Sequence, residues 1–515
     1  MRKHVLGFAV VVALAAAVGA AGCKNKPAPK GDPQLVTMEG ALGSDLVAEG
    51  VPGEVVARFH IEGKALAKRG RQPVNLVLVI DTSGSMEGEP IASARTAAAR
   101  LVDLLADDDH LAVVAFDSRV TVVAQNGVLR GRRGKIKKAI AAIEARGTTD
   151  LAGGMSTGLS EAMRGLLPGG VNRIVLLGDG VANDPSQLAG IAAGAGQQGI
   201  AISALGLGLD YDETQLGALA TASGGAFHYI REAAEVEDVF TEEVLRLHRA
   251  VAHNVQLVLT PGPGVVITRV AGLPQPPSGP AYYTLGDLAE GEQRDVIVRM
   301  TTPARTRGSI ELVDALLAFD DAARGAGRFE RRAYLSVKPT ADQAALKAGQ
   351  RVDVLRAAAH AQAADDVLRA LELARAGDEV SARVLLDGSE AAARSASTAL
   401  NDQTLFMRAE NTRALNIALP QARLAKGNGS ASVAGLAGGG AGGIQAASSG
   451  EYRPRGPMIA GRIPVAEPEV TTQGATAATP AVAPAMAPVA ADPQAADLVR
   501  RAHDEANGVL QTRKK

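Results

Sequence analysis

Three short, mostly aliphatic segments constrain the fold of this chain more than any other feature of its sequence. They comprise residues 74–80, 173–177 and 200–205, and amphipathic stretches separate them. Strands that are buried on both faces of a parallel sheet need such apolar runs, and the crossover helices between them need one apolar face. Region 74–248 is therefore predicted to be an α/β domain with a doubly wound, mostly parallel sheet.

Alternating apolar residues flank this region on both sides. They recur at every second position from Val55 to Ile61 and again from Val255 to Leu259, which is the period that a strand with one buried face requires. We therefore predict that residues 35–73 and 251–339 form a β-sandwich, and that the α/β domain is inserted between its two halves.

The character of the chain changes again after position 339. Residues 342–419 are rich in Ala, with Leu, Arg and Glu at helical spacing, and they predict a small helical hairpin or bundle. Ala376-Gly377-Asp378 is the predicted turn between two of its helices. Residues 427–495 are dominated by Gly, Ala, Ser, Pro and Thr. This composition buries too little apolar area to offset the entropy of ordering, so the segment is expected to be disordered. Residues 496–515 are expected to form at most a weak helix with a solvated end.

The amino terminus has the layout of a secretory signal. Basic residues at positions 2–4 precede an apolar run at 5–21, and small residues at 20–22 lead to Cys23. This arrangement resembles the lipobox of bacterial lipoproteins, which implies that a signal peptide, 1–22, is removed and that Cys23 is acylated. The alternatives are an ordinary cleaved signal or a short membrane helix with an incidental cysteine.

The residue after the cysteine bears on the destination of the protein. Lys24 stands where the inner-membrane retention signal of bacterial lipoproteins would have Asp. The resemblance therefore implies a lipid-anchored protein of the bacterial cell envelope, at the outer membrane. Residues 23–34 contain three prolines and would form a tether between the lipid and the folded part of the chain.

Composition excludes several classes of function. Lys and Arg number 54 and Asp and Glu number 55, which gives a formal net charge of −1 and no basic field that would attract nucleic acid. Aromatic residues make up 3% of the chain and Trp is absent, so a stacking surface for single-stranded nucleic acid is not expected either. A single cysteine can form neither an intramolecular disulfide nor a thiolate zinc site.

Polar residues occur at three places where the predicted α/β fold brings loops to one edge of the sheet. They are Asp81, Ser83, Ser85, Thr149 and Asp179. The two aspartates follow buried strands, and the carboxyl ends of parallel strands share the edge at which ligands bind in open α/β sheets. Helix capping by Asp and Ser is the simpler alternative, but it explains neither the later aspartate nor the pair of serines together.

These residues match, in order, the metal-ion-dependent adhesion site of von Willebrand factor type A domains, which region 74–248 resembles. That site consists of an Asp-x-Ser-x-Ser loop, a Thr and a later Asp, and the order of predicted strands and helices is also similar. The choice between Thr148 and Thr149 remains open. We favour Thr149 because it precedes Asp150-Leu151 as the Thr of the family precedes Asn-Leu.

The chemistry of the donors indicates which metal such a site would hold. Hydroxyl and carboxylate oxygens are hard ligands that suit Mg²⁺, with Mn²⁺ and Ca²⁺ as alternatives, and no His or Cys joins the motif to favour zinc. The resemblance implies that the hydroxyls bind the metal directly, that the acids act partly through water, and that an open position accepts a carboxylate from a partner protein. It implies an adhesion or assembly module with no small-molecule substrate.

Two other functions are alternatives. A hydrolase would use Ser83 or Ser85 as a nucleophile, or Asp81 in aspartyl phosphate chemistry. The loop 81–85 lacks the Gly-x-Ser-x-Gly pattern of a nucleophile elbow, and no His-Glu-x-x-His motif occurs in the chain, so the protein is not expected to be an enzyme. A scaffold would instead bind its partner through the helices of 342–419.

Overall fold

The structure is a computed structural model that describes residues 35–65, 73–168, 170–178, 186–207, 212–322, 327–422 and 492–510. The predicted signal peptide, Cys23, the tether and residues 427–491 of the low-complexity segment lie outside the described residues. Across the described part of the chain, none of the helices is both long and apolar enough to cross a membrane.

The described chain begins with three strands and then enters the α/β domain. The strands are β1 (Val36–Leu42), β2 (Leu46–Ala48) and β3 (Gly53–Gly63). The elements of the α/β domain are β4 (Val74–Asp81), α1 (Glu89–Leu104), β5 (His110–Phe116), β6 (Val120–Ala124), α2 (Arg133–Ala141), α3 (Leu151–Arg164), β7 (Val171–Gly178), α4 (Ser186–Gln197), β8 (Ile200–Leu207), α5 (Glu213–Ser223), β9 (Phe227–Ile230) and α6 (Val236–His248).

The sheet of this domain has six strands in the order β6-β5-β4-β7-β8-β9. All neighbours are parallel except β5 and β6. Helices α1, α2 and α6 pack on one face, and α3, α4 and α5 pack on the other. The central strands β4 and β7 are therefore buried along their whole length, which explains their aliphatic sequences. The predicted doubly wound α/β domain is confirmed.

The remaining strands complete a β-sandwich around this insertion. They are β10 (Ala250–Pro261), β11 (Val266–Val270), β12 (Ala281–Ala289), β13 (Gln293–Thr302), β14 (Ile310–Asp321) and β15 (Arg328–Thr340). One sheet has the order β1-β3-β13-β11 and the other has the order β12-β10-β14-β15-β2. Strands from before and after the insertion pair with each other, since Phe59 of β3 faces Val296 of β13. The predicted insertion of the α/β domain into a sandwich is therefore confirmed.

Helices follow the sandwich. They are α7 (Gln343–Ala348), α8 (Val352–Arg375), α9 (Glu379–Leu400), α10 (Gln403–Ala422) and α11 (Pro493–Leu510). The predicted turn between α8 and α9 is present: Gly377 has a φ of 89°, which an L side chain rarely adopts. Asp378 then caps α9 by accepting a hydrogen bond from Ser381 N at 3.0 Å.

The carboxyl-terminal helix differs from the expectation of a weak, solvated end. Helix α11 begins at Pro493, so the last three residues of the predicted disordered segment 427–495 are helical. Ala495, Val499 and Ala506 are buried against the bundle formed with α8, α9 and α10. These residues lie on one face because they are four and seven positions apart. The helix is stabilised by this tertiary contact, which its composition alone does not reveal.

A buried ionic network joins the α/β domain to the sandwich. The guanidinium of Arg173 in β7 is fully buried, and it donates to Asp287 Oδ2 of β12 at 2.6 Å and to Ser203 Oγ of β8 at 3.1 Å. Ser203 donates in turn to Glu243 Oε2 of α6 at 3.1 Å, and Glu243 also contacts His228 Nε2 at 3.1 Å. The inserted domain and the sandwich are therefore coupled by the buried ion pair of Arg173 and Asp287.

Candidate functional site

Two of the three predicted loops are tied together at the carboxyl edge of the α/β sheet. Gly84 N donates to Gly147 O at 3.1 Å, and Arg146 N donates to Thr82 O at 2.6 Å. Thr82 is itself held on β5, because both its N and its Oγ1 donate to Phe116 O, at 2.8 and 3.0 Å. The loop after β4 and the loop before α3 therefore form one rigid rim.

Asp81 is the last residue of β4 and lies beneath this rim. It is 1% exposed, and its Oδ1 accepts a hydrogen bond from Ser83 N at 2.8 Å. The third predicted loop starts beside it, since a Cβ placed on Gly178 would be 3.4 Å from Asp81 Oδ2. Asp179, the next residue, lies outside the described residues, so the structure does not test its predicted role.

The two serines of the loop bring their hydroxyls together. Ser83 Oγ and Ser85 Oγ are 3.0 Å apart. Ser83 is 2% exposed, whereas Ser85 is exposed, so the pair leads from the buried carboxylate towards solvent. Two ligands at right angles around Mg²⁺ lie about 3.0 Å apart when each is about 2.1 Å from the ion. The observed separation fits that geometry as well as it fits a simple hydrogen bond.

The loop before α3 presents both candidate threonines. Thr149 is partly buried and Thr148 is exposed. Asp150 follows as the N-cap of α3, because its Oδ1 accepts from Gly153 N at 2.9 Å. This carboxylate is therefore engaged by the helix. The choice between Thr148 and Thr149 as a ligand stays a prediction.

Asp117 is a residue of this edge that our sequence reasoning missed. It follows β5, is 7% exposed, and accepts hydrogen bonds from Arg119 N at 2.8 Å and from Arg146 Nε at 3.3 Å. Burial acts to raise the pKa of Asp117, but these hydrogen bonds and one from Ser118 outweigh it and lower the pKa. The backbone O of Asp117 also accepts from Asp150 N at 2.8 Å. Asp117 thus positions the loop that carries Thr149. Its position directly after a buried strand was the sequence signal from which it could have been predicted.

The donor set of this site is mostly hydroxyl. Within the ranges that the structure describes, no three His, Cys, Asp or Glu side chains converge as a metal-binding group. The described part of the candidate site contributes one carboxylate, Asp81, together with the hydroxyls of Ser83, Ser85 and Thr149. These are hard oxygen donors that fit Mg²⁺ rather than zinc.

The family model for the von Willebrand factor type A domain matches residues 75–242. This chain contains a von Willebrand factor type A (VWA) domain. The fold agrees with two solved structures. A von Willebrand factor type A protein from Catenulispora acidiphila has a TM-score of 0.59 at 21% identity, over 72% of this chain and 88% of that chain. The ArnB paralog VWA2 from Sulfolobus acidocaldarius has a TM-score of 0.51 at 17% identity, over 74% and 94% respectively.

Two curated bacterial proteins are similar in sequence. The uncharacterised protein sll0103 of Synechocystis is 29% identical over 281 residues, which cover 52% of this chain and 66% of that protein. The uncharacterised protein YfbK of Escherichia coli K12 is 30% identical over 190 residues, which cover 35% of this chain and 32% of that protein. The match to YfbK thus spans about a third of that protein's length.

Proposed function

We propose that the VWA domain binds a partner protein through a divalent cation, with Mg²⁺ as the first choice. Asp81, Ser83, Ser85, Thr149 and Asp179 would hold the ion. When bound, it would supply a positive charge that a carboxylate oxygen of the partner can neutralise. The role is one of protein interaction or adhesion, which VWA domains commonly serve, and we propose no catalytic step.

The observation that carries this proposal is the 3.0 Å separation of Ser83 Oγ and Ser85 Oγ, directly above the buried Asp81. The rim is also accessible, because Gly84, Ser85 and Thr148 are exposed. Charge interactions at such a rim become strong only where the partner excludes water. A partner surface that covers the rim and inserts an acidic side chain fits this requirement.

The hydrolase alternative receives less support. The described partner of Ser83 Oγ is another hydroxyl rather than an imidazole. A Gly-x-Ser-x-Gly sequence does occur from Gly154 to Gly158, but it lies within α3 and not at a turn between a strand and a helix, where a nucleophile elbow is found.

The cellular setting is part of the same proposal. Acylation of Cys23 would anchor the chain in the bacterial envelope, at the outer membrane, with the VWA domain standing off the lipid surface on the segment 23–34. Mass spectrometry of the protein purified from a bacterial host tests this directly. We expect an acylated Cys23 as the first residue, and a chain that starts elsewhere would contradict the anchor.

Metal binding is tested by titrating Mg²⁺ or Mn²⁺ into the metal-free protein and measuring the heat of binding and the thermal unfolding temperature. A ligand at 100 times its Kd stabilises the folded state by about 2.7 kcal/mol. We expect this gain to be lost in Asp81→Asn and in Ser83→Ala. Asp103→Asn and Ser160→Ala are matched controls, because Asp103 pairs with Lys137 at 2.7 Å on the surface and Ser160 bonds within α3. Equal metal responses in all four variants would refute the site.

Partner binding is tested by capture from envelope extracts with and without chelator. The proposal requires that the captured protein is released by chelator and is absent with Ser83→Ala. Capture that persists without metal and is lost when surface residues of 342–419 are changed would favour the scaffold alternative instead.

A further inference from the structure

An open groove lies between α8 and α9, far in sequence from the candidate metal site. It has a volume of about 610 Å³, and its apolar lining includes Leu373, Val380, Val384 and Leu385. Val380 is 76% exposed and Val384 is 66% exposed. Two solvent-exposed valines one turn apart on a helix form an apolar strip. Burying this strip under another segment is favourable because it removes apolar surface from water.

The groove also contains a buried acid. Asp366 is 5% exposed, and its Oδ1 accepts a hydrogen bond from Gln362 Nε2 at 2.6 Å. Arg369 is 3.9 Å away and 47% exposed, so it balances the charge only partly. Burial and the charge of Asp365 raise the pKa of Asp366, and they outweigh the hydrogen bonds of Gln362 and Ser389 and the charge of Arg369, which lower it. A cationic side chain that entered the groove would stabilise this carboxylate.

The described chain stops and resumes beside this groove. Asp492 N donates to Gln421 O at 3.2 Å, so the two described ends that flank residues 423–491 lie next to each other. Helix α10 runs antiparallel to α9, since Asn416 Nδ2 donates to Asp387 Oδ1 at 2.6 Å, whereas Glu410, earlier in α10, pairs with Arg394, later in α9. The end of α10 therefore lies near the start of α9, where Val380 opens the groove.

The sequence of 423–491 contains one segment that suits such a groove. Residues 427–450 and 466–491 contain no Lys or Arg and are dominated by small residues. Between them, residues 451–465 hold three arginines and five large apolar residues. These are Arg453, Arg455, Arg462, Tyr452, Met458, Ile459, Ile463 and Val465.

We propose that residues 451–465 bind in the groove between α8 and α9 of the same chain. Their apolar side chains cover Val380 and Val384, and one of their arginines pairs with Asp366. The connecting stretches of about 30 residues span roughly 30 Å on average, whereas the stretch of α9 that lines the groove is about 15 Å long. The proposal is independent of the metal site, so chelator should not affect it.

Disulfide trapping in the full chain tests the contact. In a Cys23→Ser background, Val384→Cys combined with Met458→Cys should form an intramolecular disulfide roughly tenfold faster than Ile417→Cys combined with Met458→Cys, because a bound segment has a raised effective concentration at its site. Ile417 is the control, since it is 62% exposed on α10 and does not line the groove. Equal rates, or disulfides that link two chains, would overturn the proposal; the latter would indicate a second copy as the occupant.

A labelled peptide of sequence 451–465 provides a second measurement. It should bind a full chain in which 451–465 is replaced by a Gly/Ser segment of equal length, and bind the unaltered chain more weakly because the tethered segment competes. Val384→Arg should weaken peptide binding roughly tenfold, and Asp366→Asn should reduce the dependence of binding on salt. Ile417→Arg should leave binding unchanged. Equal effects of Val384→Arg and Ile417→Arg, or no peptide binding to the replaced chain, would overturn the proposal.

Discussion

Replacing Asp287 with Ala is predicted to destabilise the junction between the VWA domain and the sandwich. The change leaves the guanidinium of Arg173 fully buried without its closest anionic partner, which is 2.6 Å away in the native protein. Removing one member of a buried ion pair costs about 3–5 kcal/mol, since the remaining charge is uncompensated.

The structure places the expected loss at the lower end of this range. Arg173 keeps its bond to Ser203 Oγ, and through Ser203 it stays close to the Glu243 carboxylate. Burial acts to raise the pKa of Glu243, but the His228 hydrogen bond and the charges of Arg173 and Arg246 outweigh it and hold the pKa well below 4.5. Glu243 is therefore ionised at neutral pH and partly compensates Arg173, so we expect a loss of about 3 kcal/mol.

Urea unfolding followed by far-UV circular dichroism measures this loss. The exposed pair Asp314 and Arg332, 3.5 Å apart, is the control, and Asp314→Ala should change stability by about 0–1 kcal/mol. Replacing both charges, with Arg173→Met and Asp287→Leu, should recover most of the loss because no buried guanidinium is left unpaired and Glu243 keeps His228 and Arg246 as partners. The reasoning is refuted if Asp287→Ala and Asp314→Ala behave alike, or if the double variant is less stable than Asp287→Ala alone.

Two further predictions concern packing and pH. Gly158→Ala in α3 should destabilise the protein by about 1–3 kcal/mol because the new Cβ would lie 2.6 Å from Val79 Cγ2. Gly190→Ala, at an open position of α4, should instead stabilise it by about 0.5–1 kcal/mol. Thermal unfolding of both variants measures these changes, and a change of stability in the same direction for both would contradict the packing argument. Burial and the charge of Arg375 lower the pKa of His503 from 6.5 to about 3. The folded state therefore keeps His503 neutral, and its contribution to the docking of α11 is complete above pH 6.5 and is lost as the pH falls towards 3. Hydrogen exchange of residues 493–510, corrected for intrinsic rates, should rise over that interval and should lose this dependence in His503→Gln; no change would contradict the burial of His503.

Much of the fold follows from local patterns. The continuous aliphatic runs predicted β4 and β7 because both faces of those strands are covered, and the period of two predicted the sandwich strands because one face is solvated. Gly377 and Asp378 predicted the turn between α8 and α9. Each of these patterns can be recognised from residues that are only a few positions apart in the sequence.

The candidate site was predicted in part. The motif placed Asp81, Ser83 and Ser85 in one loop, and the structure brings that loop against the one that carries Thr149. Asp117 was missed because its role is to accept hydrogen bonds from Arg119 and Arg146. A single acidic residue after a strand does not by itself predict such contacts. The binding of a metal and the role of Asp179 stay predictions.

The sequence by itself determined the class of each region, the order of the elements and the edge of the sheet at which the polar loops meet, because periodicity and strand direction are properties of neighbouring residues. Only the tertiary structure decided that α11 is a docked helix and that Arg173, within an aliphatic run, is buried against Asp287. Asp287 is 114 positions from Arg173, and Tyr229, which donates to Asp497 of α11, is 268 positions from it. The free energy that orders these residues comes from burial and charge pairing between distant segments. The local composition of the chain does not predict those contacts.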